Sequence, residues 1–548
     1  MAGVMTDDAQ QRGREAFERQ EWGKAFEQLQ AADHVQFLAP DDLVRLATAA
    51  YLNGNQAAAA VIWARAHHDF LTQGNIPAAA RSAFWLGFTA LLQGEQAPAS
   101  GWLGRGSRLL EEWGEESVEP GYFLHAEAMR SAVAGDMTAA LANFERATAI
   151  GAQFGDHDLV AMARQGHGRV LIRLGETVAG MAMLDEVMAS LMSGELSPLI
   201  MGGVYCSVIE GCHDMFDLRR AREWTAALDR WCASQPERVP ARGNCQIHRS
   251  QIMRFHGDWS EALEQAEQAQ EWLSQPPPQA AIGGACYQVG EIHRLRGDFA
   301  AAENAYAEAS RWGRDPQPGL AELRLAQGEV ARARLAVCRA LDGAKVTRVR
   351  AQLLSAAVGI LIAAGDVERA RTCANELGEI AGRLDVPYMH AVSLEATGAV
   401  LLAEGDAAAA RQALSEAAAI WRELGAPHES ARARVLLATA SRRLGDEDTA
   451  TMEFQAARHL FEQLEATPDL RRLDALTAAH GPDSAPILTP REEEVIRLLA
   501  KGATNRLIAG ELHISEKTAA RHVSNIYLKL GLPNRAAATT WAHEHKLV

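Results

Sequence analysis

The sequence is poor in aromatic residues, which make up 6% of its 548 positions, and it has no long uninterrupted apolar run. Apolar stretches such as residues 353–364 are too short to span a bilayer. The amino terminus carries Asp7, Asp8 and Arg12 and has no apolar core, so it does not resemble a signal peptide. These absences predict a cytoplasmic protein with no membrane partner.

Cysteine is also scarce, with seven residues that all lie between positions 206 and 373. An odd number without paired spacing is typical of reduced thiols and does not fit a disulfide framework. Two groups are candidate metal ligands: Cys206, Cys212 and His213, and Cys245 and His248. Their spacings match no standard zinc site, so we interpret these cysteines as buried structural residues and expect no metal.

Motifs for phosphate binding and catalysis are missing as well. No G-x-x-x-x-G-K-[ST] sequence occurs, so an ATPase module is not expected and ATP is not an expected cofactor. Neither G-x-S-x-G nor H-E-x-x-H occurs, and no carboxylate pair stands out beyond solvated helix faces. The sequence therefore predicts a protein that is not an enzyme and that has no cofactor.

Basic residues are outnumbered overall, and the net charge is −16 at pH 7. From Pro486 onward, however, there are nine Lys and Arg and six Asp and Glu, so the net charge is +3 in this segment and −19 in the remainder of the chain. A basic carboxy-terminal segment attached to an acidic body is compatible with a nucleic-acid-binding unit whose body repels the same polymer.

The acidic body repeats with a period of about forty residues. A glycine followed by an acidic or amide residue recurs at Gly54, Gly94, Gly135, Gly175, Gly257, Gly297, Gly328, Gly365, Gly405 and Gly445, and one further turn is degenerate near Phe216-Asp217. After most turns an alanine, a larger residue and a second alanine follow, as in Ala410-Leu414-Ala417. Small residues at this spacing let antiparallel helices approach closely, so the pattern predicts an all-α array of about a dozen helix pairs.

This pattern resembles tetratricopeptide repeats, in the longer version found in the superhelical arms of MalT-like regulators. The resemblance implies a superhelix over residues 1–476 with a concave inner surface that binds a small-molecule or protein effector. A dozen repeats are more than a linker needs, which favours binding. The alternative is that the surface is only a scaffold.

One segment, residues 188–287, departs from the repeat and is interrupted by Gln275-Pro276-Pro277-Pro278. Its methionines, cysteines and aromatic residues suit an adaptable pocket, although such residues at helical spacing are more often core. The candidate effector-pocket residues are Met201, Tyr205, Trp224, Trp231, Met253 and Tyr287.

A different pattern begins after residue 487. Thr489-Pro490-Arg491-Glu492 predicts a helix start, with a hydroxyl N-cap, proline at the first helical position and a glutamate that completes a capping box. Gly502 ends this helix, Thr504 starts a second, and Ser515 is placed to cap a third over residues 516–530. The sequence thus predicts a helix, a turn and a helix.

The third helix has two distinct faces. Its apolar face carries Ala519, Val523, Ile526 and Leu530, and its other face carries Lys517, Ala520, Arg521, Ser524 and Asn525. Small residues permit close approach to a DNA major groove, and Arg or Lys can bind guanine edges or phosphate.

Several separate positions in this segment resemble the LuxR-type (GerE-like) helix-turn-helix: Leu488-Thr489-Pro490-Arg491-Glu492, Ile508-Ala509, Ile514-Ser515-Glu516-Lys517-Thr518, His522, Asn525-Ile526, Lys529-Leu530-Gly531 and Asn534-Arg535. The resemblance covers residues 487–548, after a linker at 477–486. It implies that the third helix enters the major groove, and that a fourth helix, from Arg535 to about His545 with Asn534 as its cap, joins two copies.

One departure concerns base preference. Many members of this family read Thr-Val-Lys-x-His where this chain reads Thr518-Ala519-Ala520-Arg521-His522, so the usual lysine is an alanine and a neighbouring position has gained the cation. The chain also shows neither a βα receiver domain nor the mixed α/β pattern of an acyl-homoserine-lactone sensor. The base preference of the family therefore does not carry over.

The resemblance predicts which residues contact DNA. Lys517, Ala520, Arg521 and Ser524 are expected in the groove, Thr504, Asn505, Arg506, Ser515 and Thr518 on phosphates, and Asn525 and Lys529 also at the interface. Glu492, Ile508 and His522 are expected to be structural.

The predicted function is sequence-specific transcriptional regulation, with double-stranded DNA as partner, a homodimer at least on DNA, and RNA polymerase as a further candidate partner. The alternative is a repeat scaffold that binds a protein partner and is tethered to DNA by its helix-turn-helix.

Overall fold

The chain folds into helices alone. The computed structural model describes residues 2–234, 241–275, 278–478, 488–512, 514–530, 532, 534–545 and 547, and in these ranges there is no β-strand. Over the same ranges no helix combines the length and the apolar character needed to cross a membrane. The predicted all-α class is confirmed.

Twenty-five helices in the described part of the chain form the repeat array. The first eight are α1 Ala2–Glu18, α2 Trp22–Val35, α3 Pro40–Leu52, α4 Gln56–Thr72, α5 Ile76–Leu92, α6 Gln96–Trp113, α7 Glu119–Ala134 and α8 Met137–Phe154. The next eight are α9 His157–Leu174, α10 Thr177–Met192, α11 Pro198–Asp214, α12 Leu218–Ser234, α13 Ala241–His256, α14 Trp259–Leu273, α15 Ile282–Arg296 and α16 Phe299–Arg311. The last nine are α17 Gly319–Ala326, α18 Val330–Gly343, α19 Thr347–Ala363, α20 Val367–Leu384, α21 Pro387–Glu404, α22 Ala407–Glu423, α23 Pro427–Arg443, α24 Glu447–Gln463 and α25 Thr467–Ala478.

Four further helices follow: α26 Pro490–Ala500, α27 Asn505–Glu511, α28 Glu516–Leu530 and α29 Arg535–Glu544. They share one apolar core, which includes Val495, Ile508, Val523 and Ala542. These bounds confirm the four predicted helices. The predicted division at 476 and 487 stays a prediction, because α25 continues to Ala478 and residues 479–486 of the predicted linker lie outside the described residues.

The recurring turn joins the two helices of a pair, and Gly405-Asp406 illustrates it. Gly405 has a φ of 95°, in the left-handed region where glycine has no steric penalty, and it ends α21. Asp406 then caps α22, since its side chain accepts a hydrogen bond from the Ala409 N–H at 3.0 Å. All ten glycines singled out in the sequence have positive φ. The motif therefore ends one helix and begins the next within two residues.

The degenerate turn keeps this geometry without glycine. Phe216 adopts a φ of 55°, and Asp217 accepts a hydrogen bond from the Arg220 N–H at 3.1 Å. A left-handed conformation costs a residue with a side chain about 1–2 kcal/mol. Phe216 is 6% exposed and its ring stacks on Tyr388 at 5.0 Å, so buried aromatic contact compensates for the strained backbone.

Paired helices meet at a small residue opposite a large one. Ala410, Leu414 and Ala417 of α22 are all fully buried, as the sequence pattern predicts. Leu414 lies over Gly398 of α21, where an added Cβ would come within 2.5 Å of the Leu414 Cγ. The same contact joins Gly13 to Leu29, Gly87 to Leu103 and Gly290 to Tyr306. A large residue thus fills the space above a glycine in each of these pairs.

The odd-numbered helices form an inner layer, in which α1 contacts α3 and each odd-numbered helix from α5 to α21 contacts the next one along the array. Inner helices also touch across the superhelix: α3 contacts α11, α13 contacts α23, and α15 contacts α25. Next to the α13–α23 contact, the His256 imidazole lies 2.9 Å from the carbonyl oxygen of Gly425 in the loop before α23. Trp259 of α14 also packs against His428 of α23, with ring centres 5.5 Å apart. The middle of the array is therefore packed against its carboxy-terminal end.

Gly405 provides a test of the turn. Gly405→Ala should lower the free energy of unfolding by about 1–2 kcal/mol, because φ there is positive. No atom lies within 4 Å of an added Cβ, so a steric clash does not contribute to this loss. The matched control is Gly359→Ala within α19, where an added Cβ also meets nothing within 4 Å and alanine should stabilise the helix by about 0.5–1 kcal/mol. Urea unfolding of the full chain measures both. Equal effects of the two variants would contradict this account of the turn.

Candidate nucleic-acid interface

The first helix of the carboxy-terminal unit is anchored at its start. Thr489 accepts a hydrogen bond from the Glu492 N–H at 3.2 Å, and Glu492 accepts one from the Thr489 N–H at 2.9 Å, so the predicted capping box is present. Glu492 is fully buried, and its carboxylate also accepts a hydrogen bond from the Lys529 ammonium at 2.6 Å. One glutamate therefore ties the start of α26 to the last turn of α28.

The second helix is short and is held by the fourth. Thr504 caps α27, with its hydroxyl 3.4 Å from the Leu507 N–H that donates to it. Arg535 at the start of α29 donates hydrogen bonds to the Asn505 side-chain oxygen, at 3.2 Å, and to the Ala503 carbonyl oxygen. No local pattern in the sequence predicts this role for Arg535, and the only signal is the Asn534-Arg535 pair in the family pattern.

The third helix, α28, is capped as predicted. The Ser515 hydroxyl accepts a hydrogen bond from the Thr518 N–H at 3.1 Å and lies 2.7 Å from the Thr518 hydroxyl. Ala519 and Ile526 are fully buried and Val523 is 6% exposed, so the predicted apolar face packs on the core. This packing fixes which side of α28 faces outward.

The outward face of α28 presents Lys517, Arg521 and Ser524, which are exposed, with Ala520 and Asn525 half-buried beside them. No ion pair or side-chain hydrogen bond within the described residues engages Lys517 or Arg521. Both cations are thus free to contact a ligand at the end of the helix that its partial positive charge also favours for anions.

The other predicted DNA-contacting residues differ in how available they are. Arg506 and Thr504 are exposed at the start of α27, whereas Asn505 is half-buried and bonded to Arg535. The Lys529 ammonium donates a hydrogen bond to Glu492, so it stabilises a buried carboxylate in the described structure. Glu492 and Ile508 are fully buried and His522 is 6% exposed, in agreement with the structural roles expected for them.

His522 also lies next to the repeat array. Its Nδ1 is 3.5 Å from a carboxylate oxygen of Asp448 in the first turn of α24. This is an ion-pair distance without hydrogen-bond geometry, since Nδ1 has no hydrogen-bond partner. The array therefore touches α28 on its flank, while Lys517 and Arg521 remain exposed.

The structure divides the six candidate effector-pocket residues among three cores. Met201, Tyr205, Trp224 and Trp231 pack in the largest core, whereas Met253 and Tyr287 belong to two others. Tyr205 and Trp231 are neighbours, with ring centres 6.1 Å apart. Burial raises the pKa of the Tyr205 and Tyr287 phenols. These side chains do not converge on one site, and an effector pocket there stays a prediction.

The cysteines singled out in the sequence are free thiols. Cys212, Cys232, Cys245 and Cys286 are buried and the other three are half-buried. His213 and His248 stack with ring centres 5.8 Å apart. Among the residues that the structure describes, no three His, Cys, Asp or Glu side chains come together as metal ligands.

Comparison with known sequences identifies the carboxy-terminal unit. Residues 486–542 match the family "Bacterial regulatory proteins, luxR family". The chain is 38% identical over 60 residues to the nitrate/nitrite response regulator protein NarL of Escherichia coli K12, and 45% identical over 62 residues to the response regulator protein VraR of Staphylococcus aureus. Each match covers 11% of this chain and 28% or 30% of the relative, so the chain spans less than a third of these relatives.

Two solved structures align with a longer part of the chain. A Rap protein complexed with competence and sporulation factor aligns over 71% of this chain and 98% of its own, with 14% identity and a TM-score of 0.33. The apo form of the quorum sensor NprR from Bacillus thuringiensis aligns over 70% of this chain and 98% of its own, with 13% identity and a TM-score of 0.36.

The Glu492–Lys529 pair can be tested by substitution. Lys529→Met should destabilise the carboxy-terminal unit by about 1–3 kcal/mol, because it leaves a fully buried carboxylate without its ammonium partner. Amide hydrogen exchange in α26 and α28 of the full chain measures the loss. Lys501→Met is the control, since Lys501 is exposed and no other described side chain binds its ammonium. If both variants exchange at the same rates, Lys529 does not have this structural role.

Proposed function

We propose, from the premise that residues 486–542 are a LuxR-type helix-turn-helix domain, that this chain is a sequence-specific transcriptional regulator whose repeat array senses an effector. The observation that carries the DNA-binding part is the outward face of α28, where Lys517 and Arg521 are exposed and unpaired among the described residues. Effector sensing is assigned to the repeat array.

In this proposal α28 lies in the major groove of DNA. Ala520 lets the helix approach the base edges, and Arg521 pairs with a guanine through two parallel hydrogen bonds. Thr504, Arg506, Ser515 and Thr518 lie at the amino-terminal ends of α27 and α28, where hydroxyl groups, a cation and free backbone N–H groups suit phosphates. Asn505 and Lys529 would contribute only after giving up their contacts with Arg535 and Glu492.

Two copies are proposed to bind together through α29. Ala536, Thr540 and His543 are exposed at helical spacing on α29, and the first two are small enough for a second helix to approach closely. A homodimer of this kind predicts a two-fold symmetric binding site. Contact with RNA polymerase stays a prediction of the family resemblance.

Selection from random DNA with the full chain tests the assignment of Arg521. The wild type should recover one two-fold motif, and Arg521→Ala should weaken binding to it by about 1–3 kcal/mol and relax one base pair per half-site. Arg506→Ala is the comparison, because loss of a phosphate contact should weaken all sequences alike and reduce the salt dependence of binding. If Arg521→Ala behaves like Arg506→Ala, Arg521 binds phosphate and its assigned role is wrong.

The contact between His522 and Asp448 suggests how the array influences DNA binding. Asp448 belongs to an acidic turn, Asp446-Glu447-Asp448, that would lie close to DNA phosphates if the arrangement persisted on DNA. Asp448→Asn should therefore strengthen binding of the full chain to its selected site by about fivefold at low salt. Asp474→Asn is the control, since Asp474 pairs with Arg458 elsewhere on the array. Equal affinities for the two variants would contradict an influence through this contact.

The alternative is a scaffold that binds another protein and uses the helix-turn-helix only as a tether. The same selection experiment separates the two functions, because a tether needs no defined operator. Failure of the full chain to select any motif, together with one tight protein partner in sedimentation, would favour the scaffold.

A further inference from the structure

The inner helices α21, α23 and α25 bring charged side chains into a row on the inside of the array. Glu395 of α21 pairs with Arg432 of α23 at 3.3 Å, and Glu395 also accepts a hydrogen bond from the Trp421 indole at 3.0 Å. His428 of α23 lies 2.9 Å from the Asp469 carboxylate of α25. The first turns of α23 and α25 are therefore side by side.

Helical spacing then places two arginines next to each other. Arg432 follows His428 by four residues and Arg472 follows Asp469 by three, so both lie one turn beyond the His428–Asp469 contact and on the same faces. Partial desolvation by the neighbouring helices and the positive charge of Arg432 both lower the pKa of Arg472, and the Asp469 carboxylate raises it. The two guanidinium groups therefore lie near enough for their charges to repel each other.

Arg472 lacks a counterion of its own. No hydrogen bond or ion pair joins it to another residue in the described part of the chain, whereas Arg432 has Glu395. Both arginines keep accessible surface, with 47% of the Arg432 side chain exposed and Arg472 also exposed. A ligand can therefore reach both guanidinium groups.

Carboxylates line the rest of this region. Glu429, one turn before Arg432, has a carboxylate oxygen that is buried and has no hydrogen-bond partner. Across the interior, Glu322 of α17 binds Arg294 at 3.0 Å. The carboxylates of Glu395 and then Glu322 raise the pKa of Arg432 against the effect of partial desolvation by the neighbouring helices. A group that donates hydrogen bonds would satisfy Glu429 beside the two arginines.

We propose that Arg432 and Arg472 bind the carboxylate or phosphate group of a small anionic ligand, and that Glu429 accepts a hydrogen bond from a donor group on the same ligand. Arginine suits this role because its fixed fork of N–H groups matches planar or tetrahedral oxyanions. Bound oxyanion charge would offset the repulsion between the two guanidinium groups and link α23 to α25. This site rests on the proposed effector-sensing role of the array and gives it a chemical class of effector.

The test uses the full chain, without DNA, and inorganic phosphate as the probe. Phosphate should raise the melting temperature of the wild type more than sodium chloride does at equal ionic strength. Arg472→Gln should weaken phosphate binding about 10- to 100-fold, as expected when a charged hydrogen-bonding partner is lost. Arg471→Gln is the matched control, because Arg471 is the neighbouring exposed residue on a different face of α25. It should bind phosphate as the wild type does.

A second measurement excludes misfolding as the cause. Without phosphate, Arg472→Gln should be at least as stable as the wild type, because the substitution removes the repulsion from Arg432. The proposal is overturned if phosphate stabilises no more than chloride, if Arg471→Gln and Arg472→Gln lose binding equally, or if Arg472→Gln is destabilised without phosphate. Selection of a DNA motif by the same chain would stand in each of these cases, so the two proposals can fail separately.

Discussion

The array depends on how closely its paired helices can approach. Where Leu414 lies over Gly398, an added Cβ on the glycine would come within 2.5 Å of the leucine, so no larger residue fits without displacing the helix. The flanking alanines at 410 and 417 are fully buried against the same partner helix. Close packing of this kind is sensitive to a single methylene, because the interior has no spare volume. Repetition of the contact fixes the pair geometry, and thereby the rotation from one pair to the next.

That accumulated rotation brings distant inner helices into contact. α13 meets α23 and α15 meets α25, so the inner surface of this half is enclosed by helices from both ends of a long segment. Charged residues on these inner faces then find partners from other repeats, as when Glu322 of α17 binds Arg294 of α15 and its charge raises the pKa of Arg432 on α23. An enclosed polar interior of this type favours recognition of a charged ligand, because screening by water is weaker there.

The helix-turn-helix depends on a different kind of interaction. Glu492 accepts hydrogen bonds from the Thr489 N–H and from Lys529, so the beginning of α26 and the end of α28 are fixed by one buried carboxylate. Arg535 fixes the beginning of α27 in the same way through Asn505 and Ala503. The orientation of the outward face of α28 therefore follows from polar contacts inside the unit, and the packing of Val523 and Ile526 secures it. Polar residues within the family pattern thus stabilise the unit.

Features that depend on neighbouring residues could be predicted from the sequence. The ten turn glycines, the buried Ala410-Leu414-Ala417 pattern, the Thr489–Glu492 capping box and the four final helices were all predictable, because caps, turns and helical periodicity act within a few residues. A regular spacing of sixteen residues, from Gly398 to Leu414 and in three other pairs, was also present in the sequence but was recognised only from the contact itself. Only the tertiary structure shows the pairing of α13 with α23, the division of the six pocket candidates among three cores, and the contact of His428 with Asp469. These depend on small rotations summed over many helix pairs, and no local pattern records that sum.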